Sequence, residues 1–269
     1  MKIIRKRPEI LFELIILCFF FTAAALASIV YSDGPLCTSS LSRLQSPSAG
    51  HIFGTDEYGR DILSRSCYGL RISLLIGISV VTLSGSAGVV IGLLCGWNEK
   101  ADKLISRILD GLMAFPEIIL AISLAAIWGP GVRNIILALS TAFFPKMARV
   151  IRGCVISLKS RVHILSGKAA GAGTARLILR YVLPGCVSAA LVQATFCFAS
   201  AILSEAALSF LGVGLKDPAP SLGGMVSAGR NYMTVAPWTI LIPGAIIMAI
   251  VLVLNLLGDS LRDALDPMR

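Results

Sequence analysis

The sequence predicts an all-α integral membrane protein with about six transmembrane helices, and three observations carry that expectation. Hydrophobic residues make up 56% of the 269 and charged residues only 14%, where soluble domains carry about 25% charged residues. The apolar residues gather in runs long enough to cross a bilayer core of about 30 Å, which needs about 20 residues of helix. Lys and Arg concentrate in alternate connecting segments, the asymmetry that orients membrane helices.

Six spans follow in order. The first covers about 10–31, behind a basic start with Lys2, Arg5, Lys6 and Arg7. Its uncharged run exceeds the core of a signal peptide, so it reads as an uncleaved span. The second covers 72–97, 26 residues without a charge. The third covers about 104–128, with Asp110 and Glu117 near its start. The fourth, fifth and sixth cover about 134–156, 182–203 and 238–258. With the start of the chain placed inside, the inner segments hold 17 Lys and Arg and the outer ones 7. Both termini are therefore expected in the cytoplasm.

Within the second span, Gly88, Gly92 and Gly96 recur every four residues, which predicts close approach of another helix. Before it, the segment over 32–71 is too polar to span. From Asp61 onward, Ile62, Leu63, Cys67, Leu70 and Leu74 recur at helical spacing, so a short amphipathic helix at the outer surface is expected to lead into span two. The chain thus divides into an N-terminal part over 1–71 and a core over 72–269.

The net charge of +9 sits in loops beside apolar runs, so membrane orientation explains it and nucleic acid is not expected. Seven cysteines without a C-x-x-C pair, and two distant histidines, His51 and His163, give no metal site. No H-E-x-x-H, G-x-S-x-G or Walker A motif is present: Gly167 and Lys168 are followed by Ala169, and no Gly stands five residues before Gly167. An enzyme is not expected, and the energy for any pumping comes from a partner or an ion gradient.

Charges inside spans are the default functional candidates. Asp110 and Glu117 lie seven apart, about 10.5 Å along one helix face. They suit either a proton or cation relay, in a gradient-driven transporter or channel, or a place near the cytoplasmic boundary where they are hydrated or paired with Arg107. Glu205 suits either a path-lining role or a cap on a re-entrant segment.

The longest polar interruption, 145–181, carries Lys146, Arg149, Arg152, Lys159, Arg161, Lys168, Arg176 and Arg180 and no acidic residue. Basic charge alone suits anionic lipid. The small residues from Ser166 to Gly173, followed by a helix-like tail to Leu183 and Pro184, suit docking of a short helix against a partner.

That stretch resembles the Glu-Ala-Ala loop of ABC importer permeases, E-A-A-x-x-x-G, eleven residues, then L-P. Gly171, Leu183 and Pro184 keep the spacing, while Leu165, Ser166 and Gly167 stand at the E-A-A places. The run Gly54-Thr-Asp-Glu-Tyr-Gly-Arg-Asp61, the run from Glu205 to Leu215, Pro218 to Gly224 (with Leu222 where Trp is common) and the tail from Leu257 to Pro267 resemble the C-type permeases of peptide and nickel importers. The resemblance implies the type I ABC importer permease fold with a cytoplasmic coupling helix in the loop 145–184. It implies a bacterial inner-membrane subunit that moves small peptides or nickel and other metal chelates. The implied partners are a homologous B-type permease, two ATPase subunits and an extracytoplasmic binding protein, besides membrane lipid. Lys168, Gly171, Ala172, Gly173, Arg176 and Pro184 are the expected coupling residues. Gly54, Asp56, Gly59, Arg60 and Asp61 form the family's extracytoplasmic motif. Glu205 and Glu117 are candidates for a path or a structural role.

Overall fold

The structure, a computed structural model, describes residues 8–30, 34–216 and 218–265. The basic run over 1–7 and the last residues of the tail motif lie outside them. The helices are α1 (Pro8–Val30), α2 (Ile62–Trp97), α3 (Glu99–Met113), α4 (Glu117–Trp128), α5 (Val132–Lys159), α6 (Val162–Ala169), α7 (Thr174–Leu177), α8 (Leu183–Phe210), α9 (Leu222–Gly229) and α10 (Trp238–Leu265). A π-helical turn, Ile178–Val182, joins α7 to α8 without a break. Pro184 accounts for the widening, since its ring would clash with the carbonyl four residues back in a regular helix.

Among the described residues five helices are long and apolar enough to cross a membrane, and a sixth crossing is reached only if the bent pair of α3 and α4 counts as one span. The third span is therefore not the single helix expected over 104–128: it bends by 86° between α3 and α4. Pro116 lacks an N–H and forces the residue before it out of helical geometry, so the chain breaks at Phe115. α4 alone, at 12 residues, covers about 18 Å.

The amphipathic helix expected before span two is not a separate element. Asp61 caps the start of α2, accepting the Ser64 N–H at 2.8 Å, and 36 residues run on without interruption. No proline intervenes, so the boundary placed at 71 falls inside a helix about 54 Å long. At the other end Asn98 ends α2 and caps α3, accepting N–H bonds from Lys100 and Ala101.

α2 and α5 form the spine. They run in the same direction, with Gly88 against Met147 and Ala148, Gly92 against Ala148 and Ile151, and Gly96 against Arg152 and Val155. A Cβ at Gly92 would lie 2.6 Å from the Ala148 carbonyl oxygen, so only glycine permits this approach. The expected packing seam is thus present. Ile76 and Val80 extend it, packing with Ile135, Leu139 and Phe143 and with Ala121 and Ala125 of α4. α1, α8, α9 and α10 pack on the other side of α2 through Ala24, Leu74, Ile202, Leu222 and Ile250. Glu13, a charge within α1, is buried there and accepts the Ser260 hydroxyl of α10 at 2.8 Å.

The connecting loops mark two ends of the bundle. The segment 34–61 lies against the start of α10, where the Trp238 Nε1–H donates to the Thr55 carbonyl at 3.3 Å. α6 lies at the opposite end, where Lys159 Nζ donates to the Trp97 carbonyl at 3.0 Å.

Candidate functional site: a basic hairpin and the charged face of α5

The expected interruption over 145–181 begins inside α5. Its first fifteen residues are helical, and Pro145, Met147, Ala148 and Ile151 are buried. The basic residues there are balanced from another element. Lys146 Nζ lies 3.3 Å from Glu117 Oε1, Arg149 pairs with Asp110, and Arg152 forms two bonds to Asp102, at 2.5 and 2.7 Å. Residues 146, 149 and 152 share one side of α5, so three ion pairs tie the bent α3–α4 unit to it. Asp110 and Glu117 stand on different helices, each paired with α5. The one-face relay expected of them, and the pairing with Arg107, are both replaced by this arrangement. The acid-free stretch narrows to 159–181.

That stretch is a short hairpin. α6 ends in a Schellman turn, in which Ala172 N–H donates to the Gly167 carbonyl at 3.0 Å and Gly171 N–H to the Lys168 carbonyl at 3.1 Å. Gly171 has φ +79° with open space around it, so it is needed for conformation and not for close approach. Gly173, at φ −63°, precedes α7 and is also open. Close approach occurs instead at Gly167, where a Cβ would lie 3.0 Å from Leu177 Cδ2. Ile164 and Val182 sink into a cluster with Ile151, Val155 and Cys186, which seats the hairpin on α5 and α8. Outward it shows Val162 (81% exposed), Leu165 (52%) and the exposed side chains of Arg161, Lys168, Arg176 and Arg180. Pro184 is exposed in the first turn of α8. Beside the hairpin lies a cleft of about 490 Å³, lined by Trp97, Asp102, Lys159, Ile164, Leu165 and Lys168.

At the other end, the run from Gly54 to Asp61 folds as a closed knot. Asp56 Oδ1 accepts the N–H groups of Tyr58 and Arg60, each at 2.9 Å, and Asp56 Oδ2 takes Arg60 Nε at 2.6 Å. The Arg60 guanidinium lies 4.4 Å over the Tyr58 ring. Gly54 and Gly59 have φ of +75° and +72°, and His51 Nδ1 sits 3.1 Å from Asp61.

Glu205 is fully buried, accepting the Ser73 hydroxyl at 2.6 Å and the Ser209 hydroxyl at 2.9 Å. It ties α8 to α2. The residues that reading along the chain passed over are Lys146 and Gln193. Lys146, next to Pro145, was counted with a loop, although apolar residues flank it on both sides. Gln193 is a single polar residue deep in an apolar run.

Comparison with known proteins agrees with this architecture. Residues 88–269 match the family model described as binding-protein-dependent transport system inner membrane component. A dipeptide transport system permease protein DppC of Alkalihalophilus pseudofirmus is 43% identical over 267 residues, covering 99% of this chain and 88% of the relative. The di/tripeptide permease DppC of Pseudomonas aeruginosa is 44% identical, covering 83% and 74%. The glutathione permease GsiD of Pectobacterium atrosepticum is 42% identical with the same coverage. Among solved structures, the inward-facing MetNI methionine ABC transporter aligns with a TM-score of 0.53 at 19% identity, covering 72% of this chain and 94% of that one. A bundle built on a parallel α2–α5 spine, capped at one end by a basic hairpin and alike to these permeases over nearly its whole length, belongs to the binding-protein-dependent transport system inner membrane component family, as a transmembrane permease subunit of an ABC importer.

Proposed function

We propose that this permease passes small peptides across the bacterial cytoplasmic membrane, paired with a homologous second permease. Two ATPase subunits holding ATP and magnesium dock on the hairpin of α6 and α7, and an extracytoplasmic binding protein delivers the cargo to the opposite end. The hairpin end, with the start of α1 and the end of α10, then faces the cytoplasm. The excess of Lys and Arg on that side supports this orientation. The relatives' names, dipeptide, di/tripeptide and glutathione permeases, support peptides over nickel chelates. Within this reading the residues over 1–71 form an N-terminal part and those over 72–269 the core.

The hairpin geometry carries the proposal. A helix of eight residues, closed by its own turn and seated by Ile164 on α5 and α8, moves with those helices as one body. Its exposed Val162 and Leu165 offer an apolar contact. Lys168, Arg176 and the backbone around Ala172 and Gly173 add positive charge and close access for an acidic groove. No carboxylate stands at Leu165, so shape and apolar contact hold the partner there.

The test is dipeptide uptake by cells carrying Gly171→Val, a side chain strained at φ +79°. Uptake is expected to fall at least about tenfold while the chain remains in the membrane, with loss of ATPase co-purification. Gly111→Ala, inside α3 and with open space around it, should stay near wild type. Undiminished uptake by Gly171→Val removes the docking role.

A further inference from the structure

Lys146 and Glu117 form an ion pair in a place where lipid would not tolerate it. Lys146 is the fifteenth of the 28 residues of α5, so it stands about 20 Å from either end of a helix about 42 Å long. The two side chains are 51% and 38% exposed on the surface of this subunit. A single charge at that depth facing hydrocarbon is costly, and such residues face water or protein.

The neighbouring helix matches it. Gln193 and Ser200 of α8 are seven residues apart and so share a face, and both join Glu117 and Lys146 around a small cavity of about 20 Å³. That is barely room for one water. Gln193 also lines a larger cavity of about 480 Å³, which runs toward the hairpin end past Ser188 to Arg262 of α10. The two cavities therefore meet at Gln193 and Phe196, with Ser188, Gln193 and Arg262 as polar points along an otherwise apolar lining that narrows at the ion pair. Another face of α8 is apolar: Val187 and Leu191 line a groove against α2.

We propose that this face, from Arg262 through Gln193 to the Lys146–Glu117 pair, is this chain's wall of the translocation path, and that the pair takes the two charged ends of a zwitterionic peptide in transit. The ligand class rests on the peptide reading above. A peptide carries an ammonium and a carboxylate, which Glu117 and Lys146 complement one for one. Half-exposed pairs of this kind hold together only weakly, so a peptide replaces their mutual contact at little cost.

The experiment uses the complete transporter in proteoliposomes with its binding protein. Single cysteines at Ser188, Gln193 and Leu191, in a chain whose native cysteines are replaced, are exposed to a charged, membrane-impermeant thiol reagent. Ser188→Cys and Gln193→Cys should react at least about tenfold faster than Leu191→Cys. Equal rates, or no reaction at Gln193→Cys, overturn the wall. In a second arm, Glu117→Gln and Lys146→Gln should lower the number of dipeptides imported per ATP hydrolysed about tenfold, with Glu117→Asp and Lys146→Arg restoring much of it. An unchanged ratio, with import and hydrolysis falling together, shows a pair that only holds the fold and overturns the ligand role. Wild-type liposomes that hydrolyse ATP yet import no dipeptide refute the peptide reading and the ligand assignment with it; the thiol pattern decides the wall independently.

Discussion

Gly92 and Gly171 show two separate reasons for glycine, and they make different predictions. At Gly92 the obstacle is the neighbouring helix. Gly92→Leu must push α5 away from the Ala148 carbonyl and Ile151, where overpacking costs about 1–3 kcal/mol or more. A marked loss of monodisperse protein on size-exclusion chromatography is expected, whereas Gly85→Ala, which meets only Met147 Cε at 3.9 Å, should be neutral. At Gly171 the obstacle is the residue's own backbone, and the surrounding space is open, so stability should hold while coupling suffers. The spacing of Gly88, Gly92 and Gly96 announced a close contact, but nothing along the chain says that its partner is α5. Glu205 is a third case. Glu205→Ala leaves the Ser73 and Ser209 hydroxyls without their acceptor inside the bundle, at about 1–3 kcal/mol. The unfolding temperature in detergent should drop by several degrees, with a smaller drop for Glu205→Gln.

At the scale of elements, the bend between α3 and α4 and its three ion pairs to α5 form one unit. Pro116 made a break foreseeable, yet apolar residues on both sides of it disguised the two helices as one span. The ion pairs differ in exposure, and that sets their worth. Arg152 and Asp102 are 34% and 21% exposed and joined by two bonds, so a double-mutant cycle should give a coupling of about 1.5–3 kcal/mol. Arg149 and Asp110 are 51% and 65% exposed and should couple by about 0.2–1 kcal/mol. Equal couplings would mean that a partner or lipid covers the second pair. The same unit explains why a relay through Asp110 and Glu117 does not form: the bend separates the two carboxylates, and α5 supplies each with a cation.

For the whole molecule, the 34–61 segment and the hairpin of α6 and α7 lie at opposite ends of the bundle. If the hairpin end is cytoplasmic, an impermeant thiol reagent should label native Cys37, which is exposed in that segment, from outside intact cells. Ser166→Cys on α6 should label only after the cells are opened. Hydropathy made the long apolar helices legible, and charge asymmetry gives an expected orientation, because each depends on local composition along one helix or loop. They left three things unresolved: where helices merge, as α2 does through residue 71; where they bend, as at Phe115; and which charges meet. Arg152 finds Asp102 fifty residues away and Arg149 finds Asp110 at thirty-nine. An ion pair in a membrane protein is chosen by which helices the packed bundle sets side by side, so only the tertiary structure turned an acid-free basic loop into a neutralised helix face and a separate basic hairpin.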